Sequence, residues 1–411
     1  MTAVPACRFC GAPLTRTFVD LGKTPLANSY VTAEDVAAGR DKSYPLHARV
    51  CDSCLLVQVD EVVPAEDIFS DYAYFSSYSP GWIEHAKRYA EAMIARFGLG
   101  PQSLVVEVAS NDGYLLRHFV ERGIPVLGVE PAANVAEVAR AAGVPTEVVF
   151  FHRDSGRDLA ARGFKADLMA ANNVFAHVPD IKGFAAGFAE VLKPEGVVTF
   201  EFPHLLNLIE QVQFDTIYHE HYSYLSLVVV ERVLGSVGLR VFDVEELPTH
   251  GGSLRVFACH AGAGRAQEAG VAHVRAREAA AGLDRPEGYD GFAPKVAAVK
   301  AGFLAYLREA KAAGKRIAAY GAAAKGNTFL NYCGVTADDI LMVADRSPAK
   351  QGRLLPGSHI PIVSPEALIA AAPDEVVILP WNLAAEIAGS LAPLKARGCR
   401  FRVAVPVLRE V

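Results

Sequence analysis

The sequence Leu-Val-Val-Glu-Val-Ala-Ser-Asn-Asp-Gly-Tyr at residues 104–114 constrains the fold of this chain more than any other stretch. Five of its first six residues are apolar, which predicts a buried parallel strand that carries one carboxylate, Glu107. Residues 110–113 are turn formers, and residues 114–121 predict a helix. A strand that passes through a tight turn into a helix forms the ligand crevice of a doubly wound α/β sheet.

Acidic residues indicate which ligand this crevice accepts. The turn carries Asp112 and lacks the G-x-G-x-x-G pattern, so it suits a pyrophosphate poorly and a ligand with a cation or hydroxyls better. The next predicted strand, residues 125–130, ends at Glu130, near the spacing at which an acid reaches a ribose diol. Together these features predict S-adenosylmethionine, a sulfonium nucleoside. An α/β core strand whose acids are incidental is the alternative.

Composition bounds the class of protein and its compartment. The chain has 411 residues, 51% of them hydrophobic, which predicts two or three domains with large cores. A net charge of −6 argues against a nucleic-acid partner. We see no apolar run long enough to span a bilayer and no signal peptide, so we expect a soluble cytoplasmic protein with no membrane partner.

Two Cys-x-x-Cys pairs predict a metal site near the N-terminus. Cys7 with Cys10 and Cys51 with Cys54 can each place two thiolates on one tetrahedral ion. Such a four-thiolate zinc site has no open position, so we expect it to support structure and not chemistry. A region this short has little core, so loss of the ion should unfold it locally. Free or redox thiols are the alternative, but they would need a thioredoxin-like context.

Aromatic and hydroxyl side chains cluster in the connection to the central part of the chain, at residues 69–79. One interpretation is that Tyr72 or Tyr78 faces the active site. The other is that these rings fill an interface between domains. A helix predicted over residues 82–97 then leads into the key strand.

Strands and helices alternate through the rest of the central region, which implies parallel pairing with right-handed crossovers. Residues 167–171 are the predicted fourth strand, and residues 196–202 the fifth. In open α/β sheets the carboxyl ends of the strands line the site. Asn173 is therefore a candidate for the cofactor, and His177 for the substrate side.

A dense group of polar aromatic residues follows the fifth strand, with two histidines, one glutamate and three tyrosines at residues 218–224. On extended backbone, His219 and His221 would point one way and Glu220 the other. Acid–base chemistry, a two-histidine metal site and a structural hydrogen-bonded corner are all open interpretations. Histidine suits a base that must be restored, and a tyrosine beside it can donate to a developing oxyanion.

Two glycine turns are candidates for substrate contacts. The first joins strands predicted at 239–247 and 253–259, of which we expect 239–247 to be an antiparallel member of the central sheet. Its polar residues could hold phosphate or sugar oxygens, although a plain turn is equally consistent. The second opens a helix after residue 320, within a second doubly wound domain. There, Lys325 and the helix N-terminus could hold a pyrophosphate, but the pattern is not a dinucleotide fingerprint.

In combination these motifs resemble those of the sugar C-methyltransferases that make branched deoxysugars, of the tetronitrose and mycarose 3-C-methyltransferase type. The resemblance covers essentially the whole chain, and the combination is specific although each motif alone is not. It rests on the two cysteine pairs, the loop at 107–113, the Tyr-His-Glu-His segment at 218–221, the His-Gly-Gly-Ser-x-Arg turn at 250–255 and the Gly-Ala-x-x-Lys-Gly-Asn-Thr turn.

The resemblance implies an α/β protein with three parts. These are a zinc-binding domain (1–70), a central class I S-adenosylmethionine-dependent methyltransferase domain (71–247), and a C-terminal Rossmann-like domain (248–411) that holds a nucleotide-linked 4-keto-6-deoxysugar. It further implies that His221 is the base. We expect His221 to remove the proton at C3, while Tyr218 or His177 stabilises charge on the C4 oxygen.

The expected site residues fall into three sets. The catalytic set is His221, Tyr218, Glu220, His177 and Tyr72. The cofactor set is Glu107, Ala109, Ser110, Asn111, Asp112, Gly113, Glu130, Asn134 and Asn173. The substrate set is Tyr78, His250, Ser253, Arg255, Lys325, Asn327 and Thr328.

Three other functions stay open at this point. The first is an O- or N-methyltransferase on a similar sugar, which would share the cofactor residues. The second is an RNA methyltransferase, against which the acidic net charge argues. The third is a non-catalytic sensor, against which the Tyr-His-Glu-His segment argues. We expect a monomer or a small homo-oligomer.

Overall fold

The computed structural model describes residues 4–64, 76–78 and 80–411. Within these ranges the strands form sheets of four, seven and six strands. The predicted α/β class, with a small N-terminal module before two larger α/β domains, is confirmed. Tyr72 and the side chain of Tyr78 lie outside the described residues, so their roles stay predictions.

The N-terminal part is an antiparallel sheet built around the cysteine pairs. β1 (Arg16–Pro25) pairs with β2 (Ser43–Val50), and β2 pairs with β3 (Val57–Val59). A short helix, α1 (Ala33–Ala37), lies between β1 and β2 and begins with a capping box at Thr32. Burial alternates along the second half of β2, so one face of the sheet is covered.

The central domain is a seven-stranded sheet. The strands that follow β3 are β4 (Val105–Val108), β5 (Val126–Val129), β6 (Thr146–Glu147), β7 (Ala166–Asn172), β8 (Leu192–Pro203), β9 (Ser223–Tyr224), β10 (Leu239–Leu247) and β11 (Ser253–His260). Seven of them pair in the order β10-β11-β8-β7-β4-β5-β6, with β11 antiparallel to both neighbours. β9 instead pairs with β3 and completes the N-terminal sheet. The segment after β8 is therefore bound to two domains.

Helices connect the strands of this sheet. They are α2 (Pro80–Phe97), α3 (Arg117–Val120), α4 (Ala133–Ala141), α5 (Arg153–Ala161), α6 (Ile181–Val191), α7 (Leu205–Glu210), α8 (Leu227–Gly235) and α9 (Ala269–Ala280). Because β4, β5, β6, β7 and β8 are parallel, their carboxyl ends meet at one edge of the sheet. The polar residues singled out in the sequence lie at that edge.

The hairpin of β10 and β11 corrects one expectation about strand direction in the central sheet. We expected residues 239–247 to be antiparallel in the sheet, but β11 is the reversed strand because it inserts between β8 and β10. β10 is antiparallel to β11 and therefore runs parallel to β8. The central sheet extends to His260, so this hairpin links the expected central and C-terminal domains, and the boundary expected between residues 247 and 248 stays a prediction.

The C-terminal domain is a second, mainly parallel sheet, as expected. Its strands are β12 (Ile317–Tyr320), β13 (Val343–Ala344), β14 (Ile362–Val363), β15 (Glu375–Ile378), β16 (Arg400–Val403) and β17 (Arg409–Glu410), in the order β14-β13-β12-β15-β16-β17. Its helices are α10 (Phe292–Ala312), α11 (Ala324–Cys333), α12 (Pro365–Ala371), α13 (Ala384–Ser390) and α14 (Ala392–Lys395). Across the described ranges, no helix combines the length and apolarity needed to cross a bilayer.

The N-terminal and C-terminal domains contact each other directly. The Tyr30 hydroxyl donates to the Ala322 carbonyl at 2.6 Å, in the turn that opens α11. Asp41 Oδ2 accepts from His359 Nε2 at 2.8 Å. The N-terminal domain therefore contacts both the central domain, through β3 and β9, and the C-terminal domain.

We expect Gly156→Ala to destabilise the protein. Gly156 of α5 lies against Gly187 of α6, and a Cβ on Gly156 would come within 2.7 Å of the Gly187 carbonyl oxygen. Overpacking of this kind costs about 1–3 kcal/mol. The measurement is the free energy of unfolding in urea. Gly302→Ala is the matched control, because Gly302 lies inside α10 with open space around it and should gain up to about 1 kcal/mol. Equal stability of both variants would contradict the close helix contact.

Candidate active site

The four cysteines of the two pairs converge on one point. Their sulfur atoms all lie within 4.8 Å of one another, and Cys7 Sγ is 3.5 Å from Cys54 Sγ. A tetrahedral zinc ion with Zn–S bonds of about 2.3 Å needs sulfurs about 3.8 Å apart, so the cluster fits that ion. Gln58 Nε2 donates to Cys7 Sγ at 3.1 Å, which supports one thiolate from β3.

The turn after β4 has an unusual backbone. Ala109, Asn111 and Gly113 have φ values of 57°, 50° and 76°, so left-handed residues alternate along it. The turn is held against the end of β5 by Glu130, whose Oε2 accepts from the Asn111 amide at 2.9 Å. Glu130 Oε1 accepts from the Ala132 amide at 3.0 Å. The carboxylate predicted to bind ribose therefore also fixes the shape of the turn.

Buried acceptor atoms line this crevice. Burial, together with Glu130 and Asp112, raises the pKa of Glu107 well above its usual value. Several buried side-chain atoms have no hydrogen-bond partner among the described residues, and buried acceptors of this kind need a donor. In the predicted cofactor set these are Glu107 Oε2, Ser110 Oγ, Asp112 Oδ1 and Asn173 Oδ1. The crevice thus fits S-adenosylmethionine, which carries hydroxyl and ammonium donors and a sulfonium cation.

Two residues that the sequence did not single out complete the crevice. The Ser76 amide donates to Asn111 Oδ1 at 2.8 Å, and the Ser77 amide donates to Asp112 Oδ2 at 3.1 Å. The serines are part of the hydroxyl and aromatic cluster of the linker, which was the one available signal. Asn134, in contrast, lies in the first turn of α4 with an exposed side chain.

The histidine turn, which we define as residues 214–221, covers the same edge of the sheet. The His221 amide donates to the Tyr218 carbonyl at 2.9 Å, which closes a β-turn. The His221 ring is held at both nitrogens, because Nδ1 is 2.9 Å from the Thr216 carbonyl oxygen and Nε2 is 2.8 Å from the Tyr218 hydroxyl. A carbonyl only accepts, so Nδ1 carries the proton and Nε2 keeps a lone pair.

The turn overturns the expectation that His219 and His221 point the same way. The backbone is not extended there, so the alternation of a strand does not apply. His219 Nε2 donates to the Pro45 carbonyl at 3.1 Å, in the N-terminal domain. Glu220 also points to that domain, where both carboxylate oxygens accept from Asn28 Nδ2 at 2.8 and 3.0 Å. Among the described residues, a metal cluster of three or more ligands forms only at the four cysteines.

Histidines from three segments meet beside the histidine turn. The rings of His177 and His221 are perpendicular, with centroids 4.6 Å apart. Burial lowers the pKa of His177 to about 4, and burial with the neighbouring His177 lowers the pKa of His221 well below its usual value. Burial and Lys325 lower the pKa of His250 to about 4. These histidines are neutral at pH 7.

The predicted substrate set divides in two. Lys325 and His250 lie close enough to His221 to influence its pKa. The Arg255 guanidinium is instead buried and bonded to Glu201 Oε1 at 2.7 Å. The Ser253 hydroxyl donates to its own turn, at the Thr249 carbonyl.

Asn327 and Thr328 also bond to protein groups, at domain contacts. Asn327 Nδ2 donates to the Ala27 carbonyl of the N-terminal domain. The Thr328 hydroxyl donates to the Ile217 carbonyl of the histidine turn at 3.1 Å. Both side chains are buried, so the structure places them between domains and not at the opening of the crevice.

The sheet order, the acidic crevice and the thiolate cluster define an S-adenosylmethionine-dependent methyltransferase with a structural zinc module. Three family profiles match in series. They describe a zinc binding domain at residues 7–69, a methyltransferase domain at residues 82–244 and a C-methyltransferase C-terminal domain at residues 248–406. The zinc and cofactor predictions are thereby confirmed.

Comparison with a related protein shows which family of methyltransferases the chain belongs to. The chain is 37% identical to C-methyltransferase NovU of Streptomyces niveus, over 99% of this chain and 97% of that protein. The chain belongs to this family of C-methyltransferases, and the resemblance drawn from the motifs is confirmed. A ubiquinone biosynthesis O-methyltransferase of Bartonella bacilliformis is 27% identical over 23% of this chain and 38% of its own length.

Solved structures also match the chain in part. A methyltransferase from Clostridium acetobutylicum superposes with a TM-score of 0.36 and 13% identity, over 44% of this chain and 92% of that one.

Removing zinc is expected to loosen the histidine turn as well as the N-terminal module. β9 follows that turn directly and pairs with β3, which follows the second cysteine pair. We expect Cys10→Ser to lose bound zinc and to speed amide hydrogen exchange in residues 216–224, measured by mass spectrometry. Cys333→Ser is the matched control, a buried cysteine of α11 outside the cluster. Unchanged exchange at 216–224 in a zinc-free protein would contradict the coupling.

Proposed function

We propose that this enzyme transfers a methyl group to C3 of a nucleotide-linked 4-keto-6-deoxysugar through an enolate, with His221 as the base. The observation that carries the proposal is the hydrogen-bonded row from the Thr216 carbonyl through the His221 ring to the Tyr218 hydroxyl. This row leaves a basic nitrogen at the carboxyl edge of the sheet. Membership of the C-methyltransferase family supports a carbon acceptor.

A carbon acceptor determines what the residues must do. Carbon has no lone pair to share, so a proton must leave before a bond to the methyl group can form. A ketone at C4 acidifies the proton at C3, and the electron pair of the broken C–H bond moves to the C4 oxygen. S-adenosylmethionine, when bound, supplies an electrophilic methyl group on a sulfonium. The protein therefore needs a base at C3 and a donor or a positive charge at the C4 oxygen.

His221 fits the role of the base. Its Nδ1–H donates to the Thr216 carbonyl, which fixes the tautomer and supports the positive charge that the ring gains with the proton. Its lowered pKa keeps the ring neutral before the reaction. The Tyr218 hydroxyl, which contacts Nε2 in the resting arrangement, can turn to the C4 oxygen when the sugar enters.

Under the proposal, the ammonium group of Lys325 supplies the positive charge that the C4 oxygen needs. Lys325 lies near His221 and His250, and its side chain is partly buried between the central and C-terminal domains. A cation acts more strongly on a developing oxyanion in such a place than in water. Under this proposal Lys325 contacts the sugar end of the substrate.

The substrate class is tested in two steps, with nucleotide binding measured by calorimetry and methyl transfer then measured on the matching sugars. The protein is titrated with dTDP, GDP, CDP and UDP, with and without S-adenosylhomocysteine, and then with the 4-keto-6-deoxysugars of the nucleotide that binds. Methyl transfer to a 4-keto sugar and none to its 4-hydroxyl counterpart is the expected result. Equal methylation of the two sugars would indicate an O- or N-methyltransferase.

His221→Asn is expected to abolish the first chemical step. Without S-adenosylmethionine, the wild-type protein should exchange the C3 proton of the 4-keto sugar with deuterium oxide. The variant should lose exchange and methyl transfer by about 10²–10⁴-fold, the contribution of a general base. The readouts are NMR of the sugar and product formation, with S-adenosylhomocysteine affinity unchanged. His273→Asn, at an exposed histidine of α9, is the control. Full turnover in His221→Asn would reject this histidine as the base.

The pH dependence should follow the lowered pKa of His221. A base acts in its deprotonated form, so kcat/KM of the free enzyme falls as pH drops through the pKa of the base. Because burial and His177 lower that pKa, we expect the acid limb well below pH 6.5. Methyl transfer is measured from pH 4.5 to 9, with substrate binding followed by calorimetry as the control. A midpoint at or above pH 6.5 would contradict a buried neutral base.

A further inference from the structure

A carboxylate of the histidine turn is bonded to the C-terminal domain. Asp215 is buried, with 1% of its surface exposed, and its Oδ2 accepts from Trp381 Nε1 at 2.8 Å. Asp215 lies in the central domain, after β8, whereas Trp381 follows β15 of the C-terminal domain. This bond joins the two domains beside the region between His221 and Lys325, which we call the cleft.

Trp381 contacts several parts of the cleft at once. A Cβ on Gly251 would lie 2.4 Å from Trp381 Cη2, so the indole packs tightly against the turn that carries His250. Lys325 Nζ lies 4.6 Å from the centre of the indole ring, over its face. The same ammonium donates to Asn382 Oδ1 at 3.3 Å. The position of Lys325 thus depends on the indole.

Asp215 is adjacent to the residue that holds the base. Thr216, the next residue in the chain, supplies the carbonyl that accepts from His221 Nδ1. Asp215 and Thr216 share a peptide bond, so a change at Asp215 can be passed on to the carbonyl that holds the imidazole. The side chain of Asp215 is connected to Lys325 through the indole of Trp381. Its backbone is connected to His221 through the carbonyl of Thr216.

We propose that Asp215 is a positioning residue, and that its bond to Trp381 holds Lys325 and His221 in register across the cleft. The inference rests on the proposed function, since it assigns Asp215 an effect on the base and on the cation near the C4 oxygen. Neither Asp215 nor Trp381 contacts the reacting atoms in this role. The base is competent when the C-terminal domain is docked on the histidine turn.

The electrostatics of the cleft agree with this role. Burial raises the pKa of Asp215 to about 6, and Lys325 acts in the opposite direction. Burial likewise lowers the pKa of Lys325, and Asp215 opposes that change. Each charge therefore stabilises the other in a place where an isolated charge would be costly.

The test separates the bond from the charge. Trp381→Phe keeps an aromatic ring for Lys325 but removes the indole donor. Asp215→Asn keeps an acceptor for the indole but removes the charge, and Asp215→Ala removes both. Asp41→Ala is the matched control, because Asp41 makes an equivalent bond between domains, to His359, away from the histidine turn.

Two readouts are compared in the full-length zinc-loaded protein. Amide exchange of residues 214–221 needs no substrate and should rise in Trp381→Phe and Asp215→Ala. On the nucleotide-linked 4-keto-6-deoxysugar that turns over, kcat should fall about tenfold to a hundredfold in both, with KM for S-adenosylmethionine unchanged. Asp41→Ala should stay within about threefold of wild type, since the histidine turn keeps all its bonds. Asp215→Asn should lie between the wild type and Asp215→Ala, since it keeps the bond to the indole but loses the charge that stabilises Lys325.

Other results would overturn the inference. Wild-type exchange and kcat in Trp381→Phe would show that the bond positions nothing. An Asp215→Asn variant as impaired as Asp215→Ala would assign the effect to charge alone. His221→Asn, measured in parallel, distinguishes the two proposals. Full activity of that variant rejects the base, whereas an inactive His221→Asn beside a normal Trp381→Phe rejects only the positioning role.

Discussion

The site depends on the hydrogen bond from His221 Nδ1 to the Thr216 carbonyl, because this bond fixes the tautomer of the imidazole. The neighbours of Thr216 in the histidine turn are held from outside the central domain. The Ile217 carbonyl accepts from Thr328 of the C-terminal domain, and His219 donates to Pro45 of the N-terminal domain. The turn belongs to the central domain by sequence, yet its shape is set by two other domains. Its geometry is therefore complete only in the assembled protein.

This dependence gives the zinc module a role beyond its own stability. A closed four-thiolate site keeps the chain around β3 stiff, and β3 is the strand on which β9 pairs. The Arg8 guanidinium, between the first two cysteines, donates to the Val59 and Pro179 carbonyls and lies over the Tyr222 ring. The metal has no open position for chemistry. We therefore expect it to affect the site indirectly, through the pairing of β3 with β9 next to the histidine turn.

The sequence predicted those parts of the fold that depend on neighbouring residues. The apolar run before Glu107, the turn formers after it and the cysteine pairs are local patterns, and all three predictions agree with the structure. The predicted direction of the His219 side chain was wrong, because the backbone forms a β-turn there and not an extended strand. Asn327 was predicted as a substrate contact, which stays a prediction, and no sequence pattern indicated that its Nδ2 donates to the Ala27 carbonyl of the N-terminal domain. Contacts between residues about 300 positions apart leave no local pattern in a sequence.

The site separates charge in a way that suits the proposed reaction. The carboxyl groups of Glu107, Asp112 and Glu130 line the cofactor crevice. Burial raises the pKa of Glu107 and Glu130, so a bound cation would favour their ionised forms. The facing cleft holds neutral histidines and Lys325. Transfer of a methyl cation from a sulfonium to an enolate removes both charges, and water would favour the separated ions. A partly buried cleft lacks that solvation, so the attraction between the two reactants is stronger than in water. The fixed charges of the protein orient the pair, since each end of the cleft stabilises one of them. A histidine that is neutral before the reaction adds no charge to this balance until it takes the proton. The proposed mechanism therefore calls for a base that is buried and held as one tautomer, and the His221 ring has that arrangement.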